Sequence, residues 1–138
     1  AYTYDTHDRL TGIAHQQNAQ TLAAFAYTLD ATGNRTHALE ADGSTVDWAY
    51  DDAYRLVGET RRDPSSAIVY QTGYTYDPVG NRLSLTTGGQ TTTYAHNTLD
   101  QLTGATTGGV TTTYADRASP MARTPIPMVR NTRRWLRR

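Results

Sequence analysis

The sequence runs to 138 residues, and its 13 Lys+Arg, all of them arginine, balance 13 Asp+Glu to a formal net charge of zero. It has no cysteine, which excludes disulfide staples and thiolate metal sites, and no apolar run approaches the ~20 residues of a membrane helix. Ten tyrosines, eleven glycines and abundant threonine favour strands and turns over helices.

Neutrality conceals two unlike parts. Residues 1–115 carry 6 arginines against 12 acids, a balance of −6, and residues 116–138 carry 7 arginines against Asp116 alone, a balance of +6.

In chain order, the first motif is Tyr2-Thr3-Tyr4-Asp5, continued by Asp8-Arg9-Leu10-Thr11-Gly12. The stretch Ala14 to Tyr27 has helix-friendly residues, yet the spacing of its neighbours places a hairpin there, so it reads as strand and loop. A second motif follows as Tyr27-Thr28-Leu29-Asp30, now continued by Gly33-Asn34-Arg35-Thr36. Asp42-Gly43 then reads as a two-residue hairpin turn. The third motif is Trp48-Ala49-Tyr50-Asp51 with Tyr54-Arg55-Leu56-Val57-Gly58, and the fourth is Tyr74-Thr75-Tyr76-Asp77 with Gly80-Asn81-Arg82-Leu83. Gly88-Gly89 makes a second two-residue turn. The fifth motif departs further, as Tyr94-Ala95-His96-Asn97 with Asp100-Gln101-Leu102-Thr103-Gly104, and Gly108-Gly109 repeats the hairpin turn. A sixth motif starts and fails, because Asp116 and Arg117 occupy the Tyr-Asp slots.

The fourth residues of the motifs are separated by 25, 21, 26 and 20 positions, and like continuations recur every 46 or 47. A two-level period of this kind signals a repeat architecture. Rings at i and i+2 share one face of a strand. The aspartate caps backbone N–H groups of the turn that follows. Gly33-Asn34 and Gly80-Asn81 are expected to supply positive φ, and Arg9, Arg35, Arg55 and Arg82 to pair with the aspartate four or five residues before them. The expected fold is therefore all-β, with repeated antiparallel hairpins forming a ribbon. Such a ribbon buries a face only against neighbouring repeats, so the chain reads as a segment of a longer array.

Candidate chemistry is sparse. Asp5, Asp30, Asp51 and Asp77 recur at every turn, whereas catalysis needs one convergent constellation, so a turn-forming role is favoured. His7, His15, His37 and His96 show neither metal spacing nor a nucleophile partner. Neither a catalytic residue, a metal site nor a cofactor is expected. The tyrosines read as packing residues, with contact to carbohydrate as the minority option. Asn34-Arg35-Thr36 has the letters of a glycosylation acceptor, but the Gly-Asn turn accounts for it.

The pattern Y-x-Y-D-x-x-G-N-R-L, alternating with Y-x-Y-D-x-x-x-R-L-x-G, resembles the YD repeat of the RHS (rearrangement hotspot) family, which teneurins and insecticidal toxin-complex shell subunits share. The resemblance covers residues 2 to about 114 and rests on Tyr2, Tyr4, Asp5, Arg9, Leu10, Tyr27, Asp30, Gly33, Asn34, Arg35, Trp48, Tyr50, Asp51, Arg55, Leu56, Tyr74, Tyr76, Asp77, Gly80, Asn81, Arg82, Leu83, Tyr94, Asn97 and Leu102. It implies a β-ribbon spiralling into a large hollow shell that encloses a C-terminal toxin domain in bacterial members. This segment would then be structural and non-catalytic, with the remainder of the shell and the enclosed toxin as partners, secreted or displayed at a bacterial cell surface through a larger parent. The alternative is an adhesion repeat at the cell surface contacting carbohydrate or a partner protein. The D-P-x-G segment that closes family shells before self-cleavage is absent. Asp77-Pro78-Val79-Gly80 matches its letters inside a repeat, so no protease residues are carried over. Residues 1–115 are thus read as YD-type repeats. Residues 116–138 are read as a repeat-free basic tail, disordered or aberrant, with no nucleic-acid partner expected.

Overall fold

The structure, a computed structural model, describes residues 1–114. The failed sixth motif and the basic segment 116–138 lie outside the described residues, as does the boundary between the two parts.

Eleven strands follow one another: β1 (Tyr2–Tyr4), β2 (Leu10–Gln17), β3 (Gln20–Leu29), β4 (Arg35–Glu40), β5 (Thr45–Tyr50), β6 (Leu56–Arg62), β7 (Ile68–Tyr76), β8 (Arg82–Thr87), β9 (Gln90–His96), β10 (Leu102–Thr107) and β11 (Val110–Thr113). Each pairs antiparallel with its sequence neighbours, giving one open sheet in the order β1 to β11. Because strand direction alternates, the five motif turns share one rim of the sheet, and the intervening turns share the other. The stretch from Ala14 to Tyr27 is a hairpin of two long strands turning at Asn18-Ala19, both at positive φ (50° and 63°).

Cross-strand register sorts side chains onto two faces, since directly opposed residues point the same way. One face carries the bulky groups, through Ile13↔Phe25, Tyr27↔Ala38↔Val46↔Arg61↔Tyr70, Trp48↔Glu59↔Thr72 and Tyr74↔Leu85↔Thr92. The opposite face carries mostly small and hydroxyl groups, through Thr3↔Gly12↔Ala26, Ala49↔Gly58↔Gly73↔Thr86↔Thr91 and Thr75↔Ser84↔Thr93↔Thr106↔Thr111, with Leu39 and the His37↔Asp47 pair among them. Among the described residues, only Ala38 (3% exposed) and Val46 (6%) form an apolar core, and they oppose one another on β4 and β5. A single layer has no second layer to bury its bulky face, so hydrogen-bonded ladders and turns carry much of the structural specification.

Two turn types suffice for ten connections. Two-residue turns occur at Asn18-Ala19, Gly88-Gly89 and Gly108-Gly109, with both residues of each at positive φ. The other seven are three-residue loops with one shared pattern. After β1, for example, Asp5 N–H donates to Arg9 O (2.9 Å) and Asp8 N–H to Asp5 O (3.2 Å). The third loop residue adopts the left-handed region in every case: Asp8, Gly33, Gly43, Tyr54, Ser66, Gly80 and Asp100.

Asp42-Gly43 therefore departs from the expected two-residue turn. The pairing of Ala38 with Val46 and Leu39 with Thr45 brings Glu40 opposite Ser44, leaving three residues in the loop. A two-residue loop would slip the register by one and place Ala38 and Val46 on opposite faces of the sheet. The expectation that Gly-Asn pairs supply positive φ also narrows, because Gly33 and Gly80 adopt it while Asn34 and Asn81 do not.

Candidate functional site

The motif rim gathers the residues that recur in the sequence. In the first motif, Asp5 Oδ1 accepts the backbone N–H groups of His7 (2.8 Å) and Arg9 (3.0 Å), and Oδ2 accepts Arg9 Nε (2.7 Å). Asp51 repeats this with Ala53 N (2.9 Å), Arg55 N (2.9 Å) and Arg55 Nε (2.7 Å). In the other flavour, Asp30 Oδ1 accepts Thr32 N and Asn34 N, each at 2.9 Å, while Oδ2 accepts Asn34 Nδ2 (2.9 Å). Asp77 does likewise with Val79 N (3.0 Å), Asn81 N (2.8 Å) and Asn81 Nδ2 (2.9 Å). One carboxylate oxygen organises the loop backbone, and the other anchors the side chain four residues on.

That geometry corrects the expected arginine pairing. Arg9 and Arg55 pair with their aspartates, being four residues away. Arg35 and Arg82 are five away, and Asn34 and Asn81 hold the carboxylate instead. Arg35 lies over the Tyr27 ring, 4.3 Å from its centroid, and Arg82 lies over Tyr94 at 4.5 Å and Tyr74 at 6.0 Å. Arg55 combines both contacts, with its guanidinium 5.0 Å from the Tyr76 ring.

Neighbouring turns are stitched along the rim. Arg9 Nη1 donates to Asp30 O (3.0 Å) and Arg55 Nη1 to Asp77 O (2.7 Å). Asn81 Nδ2 also reaches Asp100 Oδ1 (2.8 Å). Tyr50 and Tyr76 donate their hydroxyls to Arg35 O (3.0 Å) and Leu56 O (2.8 Å). The remaining motif positions serve the strands: Leu10 opposes Tyr4, Leu56 opposes Tyr50, and Leu102 opposes His96, each beside a bulge in the register. Tyr2 and Tyr4 are exposed on the edge strand, and Leu83 is exposed on β8. Trp48 donates its indole N–H to Glu59 Oε2 (3.1 Å).

The fifth motif shows how its two departures compensate. Asn97 Oδ1 still accepts Leu99 N (2.9 Å) and Gln101 N (3.0 Å). Its second side-chain atom is now a donor, Nδ2, and Gln101 Oε1 accepts it at 2.7 Å. An arginine at 101 would set donor against donor.

Hydrogen bonding holds these carboxyls ionised. Asp5 falls to about 2, chiefly through the Arg9 backbone N–H, and Asp30 falls to about 2, chiefly through the Asn34 side chain. The Arg55 backbone N–H lowers Asp51 most. At Asp77 burial pushes upward most strongly, but the combined hydrogen bonds from Asn81, Gly80 and Val79 outweigh it and the net direction is down. Acids used in this way are poor proton acceptors at neutral pH. Among the described residues, no group of three or more His, Cys, Asp or Glu side chains is arranged to hold a metal ion.

Sequence reasoning missed one member of the set. Asp63, on the opposite rim, accepts Ser65 N (2.9 Å), Ala67 N (3.0 Å) and Ser65 Oγ (2.6 Å) in the same loop geometry. It lacks the Tyr-x-Tyr flank, but Asp63-Pro64 carried a turn signal, since proline suits the second position of such a turn. Two ionic clusters on the strands also went unread. Arg61 binds Glu40 bidentately (2.5 and 2.7 Å), and Asp47 joins His37 (2.7 Å) to Arg62.

The sheet, its alternating turns and its stitched rim define a repeat-built β-structure whose recurring polar groups serve its turns. Solved structures similar to it include complexes that contain TccC3. "Crystal Structure of TcdB2-TccC3-Cdc42" matches with a TM-score of 0.68 at 24% identity, over 75% of this chain and 6% of that chain. The TcdB2-TccC3 crystal structure matches at 0.67 and 24% over the same shares. A Tc holotoxin pore of Photorhabdus luminescens matches at 0.56 and 20%, again over 75% of this chain and 6% of that one. The fold of this sheet is therefore one found within those complexes, of whose matched chains it spans a small part. No family model and no curated protein matches the sequence.

Proposed function

We propose that this chain is a non-catalytic structural segment of an RHS/YD-repeat shell that encloses, or helps deliver, a C-terminal toxin domain. The observation that carries the proposal is the likeness of fold over 75% of the chain to TcdB2-TccC3. The rim chemistry supports it, because Asp5, Asp30, Asp51 and Asp77 are occupied by turn formation and stitching rather than turned toward a shared substrate position. In this reading, the tyrosines, aspartates, Gly-Asn pairs and arginines of the motif specify the curvature and continuity of a wall. The partners are the rest of that wall and its cargo, and the setting is a bacterial toxin that leaves the cell or is displayed on it.

Protection of cargo tests the proposal. In the polypeptide that carries this segment, a C-terminal domain should resist added protease while the shell is intact and be cut once acid or denaturant opens it. Cleavage at the same rate in both states would count against encapsulation. The adhesion alternative predicts a different result, namely saturable binding to a glycan array by the intact polypeptide.

A further inference from the structure

Four tyrosines of this sheet have a guanidinium over them: Tyr27, Tyr74, Tyr76 and Tyr94. Three neighbouring aromatics lack that contact and share one place in the fold. No described arginine lies over Trp48, Tyr50 or Tyr54, and all three line one cleft of ≈ 530 Å³ between the second and third motif turns. Asp30, Asp51 and Asp52 line the same cleft, and no lysine or arginine does. Asp30 and Asp51 spend their oxygens on their own turns, whereas the Asp52 carboxylate has no partner among the described residues.

Tyr54 is unusual in its own right. It takes the left-handed loop position (φ 61°) that Gly33 and Gly80 take in the other flavour, and it is 61% exposed, with no described partner for its hydroxyl. A bulky residue there is costlier than glycine. The turn itself has no need of the ring.

We propose that this cleft is a docking site for an arginine side chain of a partner polypeptide, seated against Tyr54 with its charge facing Asp52. Charge complementarity supports a cationic occupant, because residues 1–114 carry 12 acids against 6 arginines. The molecule shows the same contact internally, with guanidinium-to-ring distances of 4.3 to 6.0 Å at four of its tyrosines. Arginine is favoured over lysine because its planar, weakly hydrated head stacks on a ring while still donating to a carboxylate. The site goes beyond the shell reading and does not depend on what the shell encloses.

The test is fluorescence anisotropy with the complete 138-residue chain and a labelled Gly-Arg-Gly-Arg-Gly peptide, beside a counterpart in which neutral citrulline replaces arginine. The arginine peptide should bind, the citrulline peptide should not, and binding should weaken at about 1 M salt, where the screening length is about 3 Å. Tyr54→Gly retains a residue suited to the loop position, and Asp52→Asn removes only an unpartnered charge, so neither should disturb the fold. Each should lower affinity about 2- to 5-fold, the scale of an exposed cation–π contact for Tyr54 and of the stronger exposed ion pairs for Asp52. Equal binding of both peptides, no binding, or binding untouched by both variants would overturn the proposal. A tenfold gain in affinity on removing residues 115–138 would also overturn it, by assigning the cleft to the chain's own arginines.

Discussion

Three glycines allow backbone conformation to be separated from packing. Gly80 sits at φ 101°, and a β-carbon built on it meets nothing within 4 Å. Alanine there should cost about 1–2 kcal/mol through left-handed backbone strain alone. Gly58 has an ordinary φ, and its β-carbon would meet Ala49 Cβ at 3.5 Å and Thr72 O at 3.9 Å, both normal contacts. Alanine there should be neutral or stabilising by up to about 0.5–1 kcal/mol, since glycine inside a strand carries the larger entropy cost. Gly12 is the steric case, with Thr3 Oγ1 at 2.6 Å and Phe25 O at 3.2 Å from the added carbon. Overpacking should cost about 1–3 kcal/mol, and adding Thr3→Ala should relieve much of it.

The assay is urea unfolding followed by circular dichroism on the 138-residue chain. With a slope of about 1–3 kcal/mol/M for a small protein, Gly80→Ala should lower the midpoint by roughly 0.3–2 M. Gly58→Ala should leave it in place or raise it, with slopes unchanged. If Gly80→Ala were neutral, the backbone conformation described for the Asp77–Asn81 loop would be wrong. If Gly58→Ala were as damaging as Gly80→Ala, something must pack against the small-residue face at that point.

Other outcomes follow from the rim and the edges. Asp5 and Asp30 titrate near 2 in the folded chain, below the ordinary value of 3.8, so their stabilisation is complete above pH ~4 and is lost as pH falls toward ~2; the urea midpoint should drop across that window and stay flat from pH 5 to 7. Asp51→Asn should destabilise by setting its new amide donor against Arg55, and Arg55→Gln added to it should restore part of the loss, so a double-mutant cycle of thermal midpoints should be non-additive; strict additivity would refute the matched-pair account of Asn97 and Gln101. Among the described residues, β1 and β11 are the sheet's edges, so the isolated chain should associate with rising concentration in sedimentation, and Val110→Lys on the exposed β11 should suppress this.

Much of this sheet was legible because its repeat states the same local solution five times. The Tyr-x-Tyr strands, the aspartate caps and the Gly-Gly turns follow from residue chemistry within a few positions. What stayed hidden depended on register. Whether Asp42-Gly43 closes a two- or a three-residue loop is decided by Ala38 opposing Val46, a long-range match that the loop's own letters do not contain. The destinations of Arg35 and Arg82 were hidden for a similar reason, since one residue of offset from the aspartate separates a carboxylate partner from an aromatic one. The Asp63 turn lacks the flanking tyrosines that mark the other aspartate turns, and a capping residue with one tolerant of positive φ three places later is enough to form the loop.

The alternation of the two motif flavours acquires a physical meaning from that offset. Every motif turn needs its second side-chain anchor satisfied at the position four residues on. When that residue is arginine, as at Arg9 and Arg55, the anchor's remaining nitrogen extends to the next turn's backbone, at Asp30 O and Asp77 O. When it is asparagine, as at Asn34 and Asn81, the anchor is too short to reach a neighbouring backbone carbonyl in this way, and the arginine one place later is free to cover a tyrosine. An arginine-anchored turn therefore reaches forward to the backbone of an asparagine-anchored one, whereas Asn81 reaches only a side chain of the turn that follows, at Asp100 Oδ1, and Arg55 both stitches and covers the Tyr76 ring. A substitution that converts one flavour to the other should consequently disturb the adjacent turn as well as its own, which hydrogen exchange at the Asp30 and Asp77 loops in Arg9→Asn and Arg55→Asn would detect.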